Sequence, residues 1–275
     1  MFRTKPVNLG VEKELYTFID AEGSSNSDFE LFLAKEVDGP FSSAFDDIFD
    51  FRKVYRNHFN PEPKKKQTAK QLGFIVSDEV VSLPISPEHK ELLSVYVAAL
   101  LVRSPKYLKK VLSFHSVENQ LPDNLAKQAT LENLKFLLDV YAKRICASDL
   151  VFIRNKGSNE FLYGDAGIEA KEPWSNYGIP FDIYVPMTPK ISLSVLPTPN
   201  PRDPLAAIVS DVNNQGVKRF NRIVVGNSKK FVFSRDNPPI NFITKYIGKP
   251  AAKAHGTRVL KGSVEVIYDS SRDHP

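Results

Sequence analysis

The sequence predicts an α+β fold, an N-terminal helical layer packed on a small, mainly antiparallel sheet. Three observations lead there. Up to about residue 147 most apolar residues recur at helical spacing, whereas beyond it they gather in short runs bounded by Gly, Pro, Asn and Ser. Helices come first and strands later, without the strand–helix alternation that builds a parallel sheet. The composition, 42% hydrophobic and 25% charged, is that of a folded chain rather than a disordered or fibrous one.

The elements follow in order. Residues 9–20 read as extended. Ser27 can cap a helix beginning at Asp28, whose Phe29, Phe32, Leu33 and Val37 share one face. Gly39-Pro40 is expected to break or kink it, and Phe41, Ala44, Phe45, Ile48 and Phe49 mark a second amphipathic stretch. Residues 61–70 read as a loop. Ser86-Pro87-Glu88 is a helix start, and the helix through Val102 is apolar nearly all round, as a buried central helix would be. Ser104-Pro105 starts a short helix to about Phe114. Asp123 caps a long one to about Ala147, with Leu134, Leu137, Leu138, Tyr141 and Ile145 as its core stripe. Residues 150–153 and 160–163 read as strands joined by a hairpin-type loop, Asn155 to Asn159. Phe181–Val185 and Ile191–Leu196 read as two more. A helix is expected from about Leu205 to Gly226, then strands at Lys230–Ser234 and Val264–Tyr268. This gives one α+β domain over residues 1–235 and a basic, loosely structured extension over 236–275.

The net charge of +5 is uneven. Residues 61–70 carry net +3, and so do residues 241–275, leaving the rest slightly acidic. Such segments can hold phosphates, so Lys64, Lys65 and Lys66 are candidate nucleic-acid contacts. No aromatic residue interleaves with them, which favours a solvated segment. Cys146 is the only cysteine, so it forms neither an internal disulfide nor a multi-cysteine zinc site. With no apolar core behind the first charges, the N-terminus does not read as a secretory leader, and a reduced, cytoplasmic location is expected. The longest apolar run, Leu92–Val102, is too short for a bilayer, which needs about 20 residues, so no membrane partner is expected.

Local catalytic motifs are absent from the sequence. No two of His58, His89, His115, His255 and His274 have the spacing of a helical metal pair, so no metal is expected, and no cofactor can be named. There is no glycine-rich phosphate loop, dinucleotide fingerprint or G-x-S-x-G elbow.

Attention therefore falls on polar residues in apolar places. Glu36 shares the helical face of Phe29, Phe32 and Leu33, where a carboxylate is costly unless paired. Arg103 ends the most apolar helix, where the helix C-terminus stabilises a cation or an anion could be anchored. These two are expected to pair. Asn213 and Asn221 lie on the apolar face of the late helix, although Asn is a poor helix former. Asp165, flanked by Gly164 and Gly167 at a strand end, suits a catalytic position and a turn equally.

Several segments together resemble a bacterial family known as domain of unknown function four-two-three-eight. They are Val11-Glu12-Lys13-Glu14-Leu15-Tyr16, Leu33-Ala34-Lys35-Glu36, Ala98-Ala99-Leu100-Leu101-Val102-Arg103-Ser104-Pro105, Tyr163-Gly164-Asp165 and Val185-Pro186-Met187-Thr188-Pro189. The helix containing Asn221, followed by Phe231-Val232-Phe233-Ser234, completes the match over residues 7–235. The resemblance implies Glu36, Arg103, Asp165 and Asn221 as the positions that matter. It also implies a preceding His-His-Tyr-Val-Pro-type segment, which is not found before Val7, and a Ser-Asp-x-Pro strand end where Gly164-Asp165-Ala166-Gly167 stands here.

Two functions fit these residues. In one the protein is a non-catalytic binding module whose polar residues form a structural network. In the other it is a hydrolase-like enzyme acting on phosphodiesters, with Glu36 and Asp165 as acid, base or metal ligands and Arg103 holding phosphate. The two departures from the family pattern favour the first.

Overall fold

The computed structural model describes residues 18–19, 25–26, 28–58, 63–77, 79–104, 123–164, 183–196, 205–228, 231–235, 239–249, 254–260 and 263–268. The fold is α+β, with its helices and a mainly antiparallel sheet in two compact units. The first comprises Met1–Phe49 and Pro87–Cys146, the second Asp50–Ser86 and Ala147–Pro275.

In the first unit, strands β1 (Phe18–Ile19) and β2 (Ser25–Asn26) pair antiparallel. Helix α1 (Asp28–Phe32) runs without interruption through a π-helical segment, Leu33–Asp38, into α2 (Gly39–Ile48). The chain is thus not broken at Gly39-Pro40. Pro40 has no N–H to give the carbonyl four residues back, and the wider turn absorbs that loss. Its signature is the Gly39 N–H, which reaches Ala34 O, five residues earlier. Helix α4 (Pro87–Val102) buries residues on nearly every side, including Leu93, Val97, Ala98, Leu101 and Val102, as its composition predicts. It packs against α5 (Asp123–Cys146), whose Leu134, Leu138, Tyr141 and Ile145 are buried. Phe41 stacks on Tyr96 with centroids 3.7 Å apart and planes 9° apart, tying α2 to α4. The short helix expected after Ser104-Pro105 lies outside the described residues.

The second unit is built on a six-stranded sheet. Its members are β3 (Tyr55–His58), β4 (Glu79–Pro84), β5 (Asp149–Asn155), β7 (Ile183–Thr188), β8 (Ile191–Leu196) and β9 (Ala206–Val212), in the order β3-β4-β9-β5-β8-β7. All neighbours are antiparallel except β5 and β9. A separate two-stranded ladder joins β6 (Tyr163–Gly164) to β10 (Val232–Phe233), so the loop at residues 155–159 does not close a hairpin. β5 instead pairs with β8 and β9. Helix α6 (Asn214–Asn227) covers one sheet face. Its Val217 and Val224 join Val151, Ile153, Tyr184 and Val212 in one apolar cluster. Later come α7 (Ile240–Tyr246) and the antiparallel pair β11 (Ala254–Leu260) and β12 (Ser263–Tyr268).

Two further expectations need correction. The helix placed from about Leu205 begins only at Asn214, because residues 206–212 form β9 between β4 and β5. β-branched Ile208, Val209 and Val212 suit a strand covered on both sides. Residues 61–70, expected as a loop, contain helix α3 (Pro63–Gln71), in which Lys64, Lys65 and Lys66 form the first turns. Lys, Gln and Ala favour helix even without an apolar stripe, and α3 buries no residue. Lys64 and Lys70 are exposed on it.

Candidate functional site: an asparagine-clamped pocket

A connected set of polar side chains surrounds helix α6. Asn213 is its N-cap. Its Oδ1 accepts from Gln215 N at 2.9 Å and Gly216 N at 3.2 Å, satisfying two donors that a helix start leaves open. It is exposed at the helix end and does not share the apolar face. The helix start fits tightly against the chain near Gly73, whose carbonyl accepts from Asn213 N at 2.9 Å. Gly73 has φ +86°, and a Cβ there would run into the backbone of Gly216, so glycine is required on both grounds.

Asn214 then reaches the loop that follows β5. Its Oδ1 accepts from Asn159 N at 2.9 Å and its Nδ2 donates to Ser158 Oγ at 3.1 Å, while Asn159 Nδ2 donates to Asn214 O at 3.3 Å. Buried Asn155 closes the loop from the other side, accepting from Gly157 N at 2.7 Å and donating to Asn159 O. Lys190 Nζ adds a bond to Gly157 O at 2.8 Å.

Two turns along α6, Asn221 is 4% exposed. Its Oδ1 accepts from Leu162 N at 2.9 Å and its Nδ2 donates to Glu160 O at 2.7 Å. The side-chain amide thus pairs with residues 160–162 as a neighbouring strand would. A buried amide on an apolar helix face is tolerated because donor and acceptor are both satisfied. Phe220, one residue earlier, stacks on Tyr184 at 4.8 Å and meets Phe161 edge-on at 6.3 Å. Burial drives the Tyr184 phenol far above its ordinary range, and the nearby Ser192 hydroxyl only partly opposes this. Among the described residues neither of these two buried hydroxyls makes a hydrogen bond within ordinary limits.

Over Asn221 lies a pocket of about 310 Å³. Its wall includes Glu160, Leu162, Lys218, Asn221, Ser234 and Phe242. Ser234 Oγ donates to Glu160 Oε2 at 3.0 Å, which orients the carboxylate. The clamp fixes one side of the pocket, and α7 supplies the other through Phe242.

The remaining predicted residues lie elsewhere. Glu36 does not sit on the core stripe. Its side chain is 54% exposed, with Lys35 Nζ 3.5 Å from Oε1. A π-helical turn advances each residue by less than the roughly 100° of an α-helix, so Val37 takes the inward position and Glu36 swings out. The expected Glu36–Arg103 pair is therefore replaced. Arg103 makes a bidentate contact with Asp38, Nη1 to Oδ2 at 2.8 Å and Nη2 to Oδ1 at 3.0 Å. Nearby, the Tyr96 phenol is pushed upward by burial, with Arg103 opposing and Asp38 reinforcing the shift. Asp165 lies outside the described residues. Cys146 is half-buried and free.

The structure thus joins Asn213 and Asn221 on one helix and does not join Glu36 to Arg103. Sequence reasoning missed Asp38, Asn159, Glu160, Asn214, Lys218 and Phe242. Of these only two carried a local signal, Asp38 before Gly39-Pro40 and Asn214 doubling Asn213.

No helix among the described residues is long and apolar enough to cross a membrane. Among the same residues no three His, Cys, Asp or Glu side chains gather as a metal site would require. No curated protein and no solved structure matches the chain. A family model does match, over residues 1–238, and the chain belongs to that family, described as Protein of unknown function (DUF4238).

Proposed function

We propose that this protein is a non-catalytic binding module in which the asparagine network is structural and the pocket over Asn221 receives the ligand. The observation that carries this reading is how the polar atoms are spent. Asn213 and Asn221 bond to backbone groups of their own fold, and Arg103 grips Asp38. A catalytic group needs a polar atom turned toward a reacting substrate. The half-buried free thiol of Cys146 supports a reducing, cytoplasmic setting.

Nucleic-acid contact through Lys64, Lys65 and Lys66 is a second element of the proposal. Its support is helix α3, which carries three consecutive lysines and Lys70 on one short element.

One experiment tests both. The purified chain is incubated with labelled single- and double-stranded oligonucleotides in Mg²⁺ and in Mn²⁺. Intact substrate is expected throughout. Cleavage that disappears in Asp165→Asn or Glu36→Gln would replace this reading with a phosphodiester hydrolase using those residues as acid, base or metal ligands. Changing Lys64, Lys65 and Lys66 to Gln should flatten the salt dependence of any binding and leave melting nearly unchanged, since surface changes usually stay within about 0.5 kcal/mol. An unchanged salt slope removes α3 from the interface.

A further inference from the structure

The geometry points to a neutral saccharide as the ligand of the pocket over Asn221, either a free hexose or one sugar unit of a polysaccharide. This inference rests on the binding-module reading and names the ligand class of that same site.

Charge argues first. Of the residues lining the pocket two are ionic, Lys218 and Glu160, and their charges are opposite. The lining therefore has no net charge. Glu160 is already engaged, by Ser234 Oγ at 3.0 Å and by a further interaction, so it contributes charge rather than a free acceptor. An anion drawn to Lys218 meets the carboxylate, and a cation drawn to Glu160 meets the ammonium. A neutral ligand meets neither penalty.

The polar atoms argue second. Ser158 Oγ accepts from Asn214 Nδ2 at 3.1 Å and keeps its own hydroxyl proton to give. Ser234 Oγ gives its proton to Glu160 and keeps lone pairs to accept with. Asn159 donates through Nδ2 to Asn214 O, and its Oδ1 has no donor among the described residues. Lys218 is exposed and has no ion-pair partner among them. Donors and acceptors thus line one pocket together. A ligand with only one kind of group would leave the other kind unpaired, and a wholly apolar ligand would leave all four so. Hydroxyl groups give and accept alike, so a ring of them suits every one.

Shape argues third. Leu162, Pro239 and half-buried Phe242 give the same pocket an apolar surface. The Phe242 ring meets Tyr246 at 66° with centroids 4.9 Å apart, a contact that fixes its orientation. A pyranose carries aliphatic C–H groups on its faces and hydroxyls around its rim. Its C–H face packs on the negative face of an aromatic ring while the rim reaches the polar atoms. A volume of about 310 Å³ is the liquid share of about ten waters, the scale of one hexose, and lies at the small end of the roughly 300–1,000 Å³ typical of ligand pockets. The assignment is the sugar face against Phe242 and its hydroxyls at Ser158, Asn159, Lys218 and Ser234.

Saturation-transfer NMR and isothermal titration of the full chain test this with glucose, galactose and mannose. Each is measured beside its 2-amino and its uronic acid counterpart at about pH 6, where both counterparts are charged. Dextran and galactomannan serve as the polymers. At least one neutral hexose is expected to bind about five-fold more tightly than either charged counterpart. Lys218→Gln removes the balancing cation, so the amino sugar should gain on the neutral hexose by about three-fold, a change that a merely structural lysine would not produce. Phe242→Ala should weaken hexose binding about five-fold or more, and Phe242→Trp should restore it with a larger aromatic face. A polymer bound about ten-fold more tightly per sugar than the free hexose identifies the chain as the source, and equal binding identifies the free sugar. Circular dichroism of each variant separates lost folding from lost binding. Absence of transfer from every neutral hexose and both polymers at about 50 mM sugar, or binding indifferent to Phe242→Ala, overturns the inference. A charged counterpart that binds while its neutral hexose is inert overturns the ligand class and leaves the binding-module reading standing. A glycosidic bond cleaved in the bound polymer supports the class and overturns the non-catalytic reading.

Discussion

At the scale of the residue, Asn221 shows how a polar side chain can be required on an apolar face. Its amide supplies one donor and one acceptor to residues 160–162 in the place of a neighbouring strand. Asn221→Ala leaves a buried N–H and a buried C=O without partners, at a cost of about 2–4 kcal/mol. Asn221→Asp separates the two bonds. Its carboxylate can still accept from Leu162 N, but at pH 7 it has no proton to donate to Glu160 O. Below its own pKa the acid regains that proton. Urea unfolding of Asn221→Asp should therefore show a larger stability loss at pH 7 than at pH 4, relative to wild type at each pH. A loss equal at both would mean that the bond to Glu160 O contributes little. Asn221 was legible as an anomaly in the sequence, since an amide among apolar residues at helical spacing calls for a partner. Which backbone it serves was not legible, because residues 160–162 are 59 to 61 positions away.

At the scale of the element, the π-helical segment Leu33–Asp38 decides which acid meets Arg103. α-Helical periodicity puts Glu36 inward, and one wider turn puts Asp38 in reach of the guanidinium instead. The Arg103 side chain is 21% exposed and that of Asp38 is 41% exposed. Their coupling should thus fall between the roughly 0.2–1 kcal/mol of exposed pairs and the 3–5 kcal/mol lost when a buried pair is broken. A double-mutant cycle of Asp38→Asn and Arg103→Met should give about 1–2 kcal/mol, whereas Glu36→Gln paired with Arg103→Met should give a coupling near zero. Coupling to Glu36 instead of Asp38 would mean that the helix keeps α-helical phase in solution. Elsewhere the legibility of elements tracked their burial. α4 and α5 were readable from apolar spacing, since both bury that face. Strand β3 escaped because all four of its residues are exposed and no alternation marks it. The sequence of β9 reads as the start of a helix, since a short apolar run covered on both sides has no distinctive period.

At the scale of the whole molecule, the two compact units do not follow chain order. The sheet draws β3 and β4 from residues before α4, and its other strands from residues after α5. We propose residue 235 as a domain boundary, within a few residues of the end of the family match. A chain lacking residues 236–275 should then keep a single cooperative melt and most of its circular dichroism, because every strand of the six-stranded sheet is retained. It should lose ligand binding at the pocket over Asn221, because Pro239 and Phe242 are removed from its wall. Loss of cooperative melting would place the later residues inside the domain.

By itself the sequence determined the α+β class, the long helices, most late strands, and the anomaly of asparagine on an apolar helix. Each of these is local, set by periodicity, capping and composition within some twenty residues. Tertiary structure alone decided the strand order, the partner of Arg103, the conversion of residues 206–212 into a central strand, and the pocket. Each of those joins segments far apart in the chain. Such pairings depend on which surfaces meet when the core forms, and no short-range pattern encodes that meeting.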